Sequence, residues 1–174
     1  VDNLAEIHEI DIEKSGLIDI GKPEGYVNRQ VEGWIRRYKN AETDIIAGMT
    51  VAEEWMLANT PNENTPSLIH NDYKYDNVVL NPNDFSEVKA ILDWEMATVG
   101  DPLMDLGGSL AYWIEAKDPY CWRLMRRQPT HLQGMMNRDE VAQYYLEKMG
   151  WENVNMKYYY VFGMFRLAGI IQQI

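Results

Sequence analysis

The sequence lacks several things, and each shortage removes a class of protein. There is one cysteine, Cys121, in 174 residues, so there is no internal disulfide and no cysteine-based zinc cluster. That lone thiol reads as a packed small side chain, and it fits a reducing, cytoplasmic compartment. No run approaches the roughly 18 apolar residues of a membrane helix; the most apolar stretch, Tyr158 to Phe165, stops at Arg166. Positive charge is scarce too. Sixteen Lys and Arg against 27 Asp and Glu give a net charge of −11, which argues against a nucleic-acid partner. An acidic balance suits a soluble enzyme, or a site whose carboxylates hold divalent cations, and does not choose between them. Internal repeats, low-complexity tracts and Gly/Ser linkers are also missing.

What is present is the composition of one folded domain, 46% hydrophobic and 25% charged. The chain opens on Val-Asp-Asn-Leu, with neither an initiator Met nor a signal peptide, and closes on an apolar helical pattern around Leu167 to Ile174 without a stop signal. The expectation is a piece of a longer protein.

The first third has helical spacing. Leu4, Ile7 and Ile10 mark the end of one helix, broken around Gly16 to Pro23. Tyr26, Val27, Val31, Trp34, Ile35 and Tyr38 form the stripe of a second, and a third runs from about Met49 to Ala58. The pattern then turns β-prone at Ser67 to His70. Asn77 to Asp93 reads as a hairpin around the turn cluster Asn81-Pro82-Asn83-Asp84. After Gly100, Asp101 suits an N-cap and Pro102 a first helical turn, with Leu103, Leu106, Leu110 and Trp113 as the buried stripe. A loop from Lys117 to about Met136 is partly helical. Asn137 to Glu140 resembles a capping box opening a helix that ends at Gly150, and Asn155 caps the last helix. The fold class is α+β, mostly helical, with a small β insert.

The chemistry sits on that insert. His70-Asn71-Asp72-Tyr73-Lys74-Tyr75-Asp76-Asn77 leads into a strand, and the hairpin returns to Asp93-Trp94-Glu95. Asp72, Asn77 and Asp93 therefore lie at strand ends facing one cleft. Phosphoryl transfer from ATP needs this set: a carboxylate to orient the attacking hydroxyl, and an amide oxygen with a second carboxylate for Mg²⁺. The Asp72-to-Asn77 spacing matches the kinase pattern H-R-D-L-x-x-x-N, and Asp93 arrives after a hairpin as in D-F-G.

With Ile91-Leu92-Asp93-Trp94-Glu95 followed by Gly100-Asp101-Pro102-Leu103-Met104-Asp105-Leu106, the chain resembles the aminoglycoside phosphotransferase and choline kinase-like family, which has a protein-kinase-like fold. It is particularly similar to the branch fused to acyl-CoA dehydrogenases. The resemblance covers the C-terminal lobe, from about Leu4 to the end. It implies that residues 1–174 are a catalytic, substrate-binding lobe whose N-terminal nucleotide-binding lobe lies outside this chain. It also implies a small-molecule kinase using Mg²⁺ and ATP on a hydroxyl substrate.

Carried over by position, Asp72 is the catalytic base, and Asn77 and Asp93 are the Mg²⁺ ligands. Lys74 neutralises the γ-phosphate, or is a surface lysine. His70 holds the catalytic loop by hydrogen bonding, with Asp105 as its partner. Glu95 touches the substrate, or the metal through water. Tyr73, Tyr75, Trp94 and Trp113 are candidates for a substrate pocket or for plain packing, and Glu53 and Glu54 for a cationic substrate or a solvated face. Asn71 replaces the family's usual Gly, at a position where Asn tolerates unusual backbone angles. Two rival readings are a pseudokinase-like binding module and a metal-dependent hydrolase using His70, Asp72, Asp93 and Glu95.

Overall fold

In a computed structural model of the chain, which describes residues 1–62 and 64–174, the 3.6-residue periodicity of the first third becomes three helices. These are α1 (Asp2–His8), α2 (Tyr26–Ala41) and α3 (Ala47–Ala58). The α2 stripe packs inward as its spacing requires, with Val27, Val31, Trp34, Ile35 and Tyr38 all buried. The β-prone stretch gives β1 (Ser67–Ile69), β2 (Val78–Asn81), β3 (Asp84–Ile91) and β4 (Thr98–Gly100). Then follow α4 (Pro102–Ala111), the short α5 (Tyr120–Leu124), α6 (Arg138–Lys148) and α7 (Lys157–Gln172).

The caps are those that the sequence signals. Asp101 accepts hydrogen bonds from the Leu103 and Met104 amides at 2.8 and 3.3 Å, satisfying donors that the start of α4 leaves free. Asn137 and Glu140 form a reciprocal capping box on α6. At the other end of α6, Gly150 takes φ of +67°. The Gly150 and Trp151 amides return to the Glu147 and Leu146 carbonyls, which is a Schellman closure.

The core forms where α4 crosses α7. Gly107 and Gly163 make the crossing possible: a Cβ on Gly107 would strike the backbone of Tyr159, and one on Gly163 the backbone of Gly107. Around that contact Leu103, Leu106, Leu110, Phe162 and Phe165 are buried together with α2 residues. Among the described residues no helix is long and apolar enough to cross a membrane.

The strands form two separate antiparallel pairs, β1 with β4 and β2 with β3. Strand β4 escapes sequence reading because it is three residues long and ends in Gly-Asp-Pro. Its register, Ile69 opposite Thr98, sets the loop after β1 beside the turn before β4. The hairpin carries bulges on either side of Leu80 and leaves Val79 and Phe85 exposed. Two expectations are corrected. Helix α4 ends at Ala111, so Trp113 sits half-buried in the turn beyond it rather than in its stripe. Cys121 is exposed, because α5 buries none of its residues.

Candidate active site

The loop that follows β1 is held from below by one carboxylate. Asp105, fully buried in α4, accepts the His70 amide on Oδ2 at 2.7 Å and the Asn71 amide on Oδ1 at 2.8 Å. Its Oδ2 also meets Nε2 of His8 at 3.2 Å, and Nδ1 of that ring lies 2.6 Å from the Tyr145 hydroxyl. Burial alone would raise the Asp105 pKa. The hydrogen bond and charge interaction with His8, together with the His70 amide, outweigh it and hold the carboxyl below its ordinary value.

His70 does support the loop, but its link to Asp105 runs through the main chain rather than the ring. The imidazole turns the other way. Nε2 donates to the Leu92 carbonyl at 2.8 Å, and Nδ1 accepts the Asp72 amide at 3.2 Å. A carbonyl on one side and an N–H on the other assign the neutral Nε2–H tautomer and leave no nitrogen free for a metal. Trp94 covers the ring at a centroid distance of 4.7 Å.

Asp72, Lys74 and Asn77 converge. Asp72 Oδ2 receives the Lys74 ammonium at 2.7 Å and the Asn77 amide nitrogen at 3.0 Å; the same nitrogen reaches the Asp72 carbonyl at 2.8 Å. Both protons of the Asn77 amide are thereby spent on Asp72. Its Oδ1 accepts no hydrogen bond among the described residues, and neither does Oδ1 of Asp72. Burial disfavours the Lys74 charge, but the Asp72 carboxylate overrides this and raises the lysine pKa.

Asp93 joins this group through the backbone. The Leu92 amide donates to the Asn77 carbonyl at 2.8 Å, which places Asp93 one residue past the point where β3 closes on Asn77. Asp93 itself has φ of +65° and opens the 3-10 turn Trp94–Met96. Its carboxylate and that of Glu95 are exposed and have no hydrogen-bond partner among the described residues. Two oxygens without protein partners, an amide and a carboxylate, are a hard donor pair of the kind Mg²⁺ takes when phosphates and water complete its shell. No three His, Cys, Asp or Glu side chains among the described residues cluster as a metal cage.

A cavity of about 350 Å³ has Lys74 in its wall, but none of Asp72, Asn77, Asp93 and Glu95 lines it. Tyr73, Lys74, Tyr75 and Trp113 line it together with Leu80 and Phe85 of the hairpin. Three of the four candidate aromatics thus face one space, whereas Trp94 is committed to His70. Glu53 pairs with Lys39, and Glu54 lies on the exposed face of α3.

Sequence reading misses three residues of this region: His8, Tyr26 and Arg166. The Arg166 guanidinium is buried at the centre of α7 with no carboxylate within ion-pair distance among the described residues. It donates to the Asn71 carbonyl at 2.7 Å and lies over the Trp34 ring at 5.5 Å. An arginine inside an apolar helix is itself a signal, because a buried cation needs a partner, but the sequence does not say which.

A profile of the phosphotransferase enzyme family matches residues 1–144. Among curated proteins, acyl-CoA dehydrogenase family member 10 of Mus musculus is 34% identical over 171 residues, covering 97% of this chain and 16% of that protein. Acyl-CoA dehydrogenase family member 11 of Homo sapiens is 33% identical over 178 residues, covering 99% and 22%. A solved protein of Ralstonia eutropha JMP134, provisionally described as an aminoglycoside phosphotransferase, superposes with a TM-score of 0.83 at 32% identity, covering 98% of this chain and 52% of that one. The chain spans less than a quarter of the length of these curated relatives and about half of the solved protein.

Proposed function

The chain belongs to the phosphotransferase enzyme family, and from that premise we propose that it is the C-terminal, catalytic lobe of a small-molecule kinase that transfers the γ-phosphate of ATP to a substrate hydroxyl. The observation that carries this reading is the Asn77 amide, whose two protons are both bound by Asp72 so that its oxygen is left for a cation. Asn77 and Asp93 would hold Mg²⁺, which when bound would supply charge neutralisation at the phosphates.

Asp72 acts as the base. Its Oδ1 accepts the proton of the acceptor hydroxyl as that oxygen bonds to the γ-phosphorus and the bond to the ADP oxygen breaks. Lys74 orients Asp72 from its other oxygen, and its ammonium offsets charge on the transferring phosphoryl group. His70 and Asp105 position the loop and touch no reacting atom. Glu95 makes a water-mediated contact with the metal, or a contact with the substrate. Most of the rate comes from positioning, as a loose transition state requires.

Exposed Val79, Phe85, Leu92, Trp94 and Met96 on and beside the hairpin support a nucleotide-binding lobe of the same protein seating there. A cytoplasmic setting and an acceptor that is a small hydroxyl compound belong to the same proposal. The test is ³¹P NMR of full-length protein with Mg·ATP and a panel of hydroxyl compounds. We expect ADP and a new phosphomonoester that depend on one acceptor class and disappear in Asp72→Asn. A protein that binds Mg·ATP but turns over nothing in the panel and in cell extract would favour the binding-module reading instead.

A further inference from the structure

Asn71 stands between His70 and Asp72, and four different parts of the fold hold its four polar atoms. Its amide donates to Asp105 of α4 at 2.8 Å, and its carbonyl accepts from Arg166 of α7 at 2.7 Å. Its side-chain oxygen accepts from the Tyr26 hydroxyl of α2 at 3.2 Å. Its side-chain nitrogen donates to the Met96 carbonyl at 2.9 Å. The backbone is left-handed, with φ of +65°, a conformation that glycine adopts without cost and that asparagine tolerates better than most residues. Glycine would therefore meet every main-chain demand at this position. What only asparagine adds is the pair of side-chain bonds.

The bond to Met96 has a particular place. Asp93 opens the turn that ends at Met96, and its carboxylate has no hydrogen-bond partner among the described residues. What fixes this aspartate is the backbone on either side. The Leu92 carbonyl is pinned by the ring of His70 and the Met96 carbonyl by the side chain of Asn71. Consecutive residues ahead of Asp72 thus strap the segment that carries Asp93 at both ends.

We propose that Asn71 is a positioning residue for the metal site: its side-chain amide straps the Asp93 turn to the loop bearing Asp72 and Asn77, and so sets the spacing between the base and the two metal ligands before Mg·ATP binds. This rests on the phosphotransferase reading of the site. One hydrogen bond of this kind changes a local equilibrium by about five- to tenfold.

The test compares full-length wild type with Asn71→Gly, Asn71→Asp and Tyr26→Phe, by hydrogen–deuterium exchange without nucleotide and by calorimetric titration with Mg·ATP. In Asn71→Gly and Asn71→Asp, both of which lose the donor to Met96, the amides of residues 94–98 exchange about five- to tenfold faster while α4 is unchanged, and the Kd for Mg·ATP rises by a similar factor. Tyr26→Phe keeps that donor and leaves both quantities at wild-type values. Wild-type exchange in Asn71→Gly overturns the strap. Faster exchange with unchanged Mg·ATP affinity overturns its coupling to the metal site. Wild-type protein that binds no Mg·ATP overturns the phosphotransferase reading, and the exchange data still decide whether the strap exists.

Discussion

His8 and Asp105 lie 97 positions apart and meet in a buried hydrogen bond of 3.2 Å. Helix α1 thereby takes part in holding the loop that carries Asp72, because the same Asp105 carboxylate accepts the His70 and Asn71 amides. Removing the ring in His8→Ala leaves both Asp105 and the Tyr145 hydroxyl short of a partner in a site without water access. The expected loss is about 2–4 kcal/mol of stability in urea denaturation. A loss below about 0.5 kcal/mol would show that α1 does not support the loop.

Asp105 also predicts how stability depends on pH. Its pKa in the folded protein is depressed, so its ionised form contributes stability above the unfolded carboxyl value near ~4, and that contribution fades as the pH drops through the lower folded value. Asp105→Asn is expected to be less stable than wild type at pH 7 and to lose less on acidification below about pH 4. Parallel pH profiles for the two proteins would contradict the assignment.

The α4–α7 crossing has no room for a methyl group at Gly107 or Gly163. Because the obstructing atoms are backbone, they cannot rotate aside. Gly163→Ala is expected to cost about 2–3 kcal/mol, despite the higher helix propensity of alanine. Chemical denaturation measures this directly, and a neutral or stabilising result would mean that the helices cross elsewhere.

Lys74 keeps its proton through the neutral range, since the Asp72 carboxylate more than offsets its burial and raises its pKa. A pH–rate profile of phosphoryl transfer should accordingly show no lysine titration below about pH 10. Lys74→Ala is expected to lower kcat by about 10²-fold with a smaller change in the KM for ATP. A KM effect alone would make Lys74 a binding residue only.

Much of this site is legible in the sequence because its spacing is local. The five-residue step from Asp72 to Asn77 and the return to Asp93 after a hairpin are set by chain geometry, and the caps at Asp101 and Asn137 are local hydrogen bonds with local signatures. What could not be read are contacts between distant elements. Tyr26, Asp105 and Arg166 reach Asn71 from 45, 34 and 95 positions away, and periodicity reports only which face of a helix is buried, not what it touches. His70 illustrates the same limit. Its partnership with Asp105 follows from the motif, but only the fold shows the backbone making that contact while the ring serves Leu92 and Asp72. Cys121 is exposed because a five-residue helix outside the core buries nothing, although small sulfur side chains are more often packed.

In the proposed function, Asn77 and Asp93 hold a magnesium–nucleotide complex beside Asp72. The most direct measurement is the thermal shift of the full-length protein with Mg·ATP, with Mg²⁺ alone and with ATP alone, repeated on Asp93→Ala. The expected result is a rise in Tm above each protein's own apo value that needs both components, by several degrees at saturating ligand, and that is lost in Asp93→Ala, whose apo Tm is itself lower because alanine tolerates the left-handed backbone at this position less well than aspartate. A wild-type protein that shows no shift with Mg·ATP, or an Asp93→Ala protein that keeps the full shift, would contradict it.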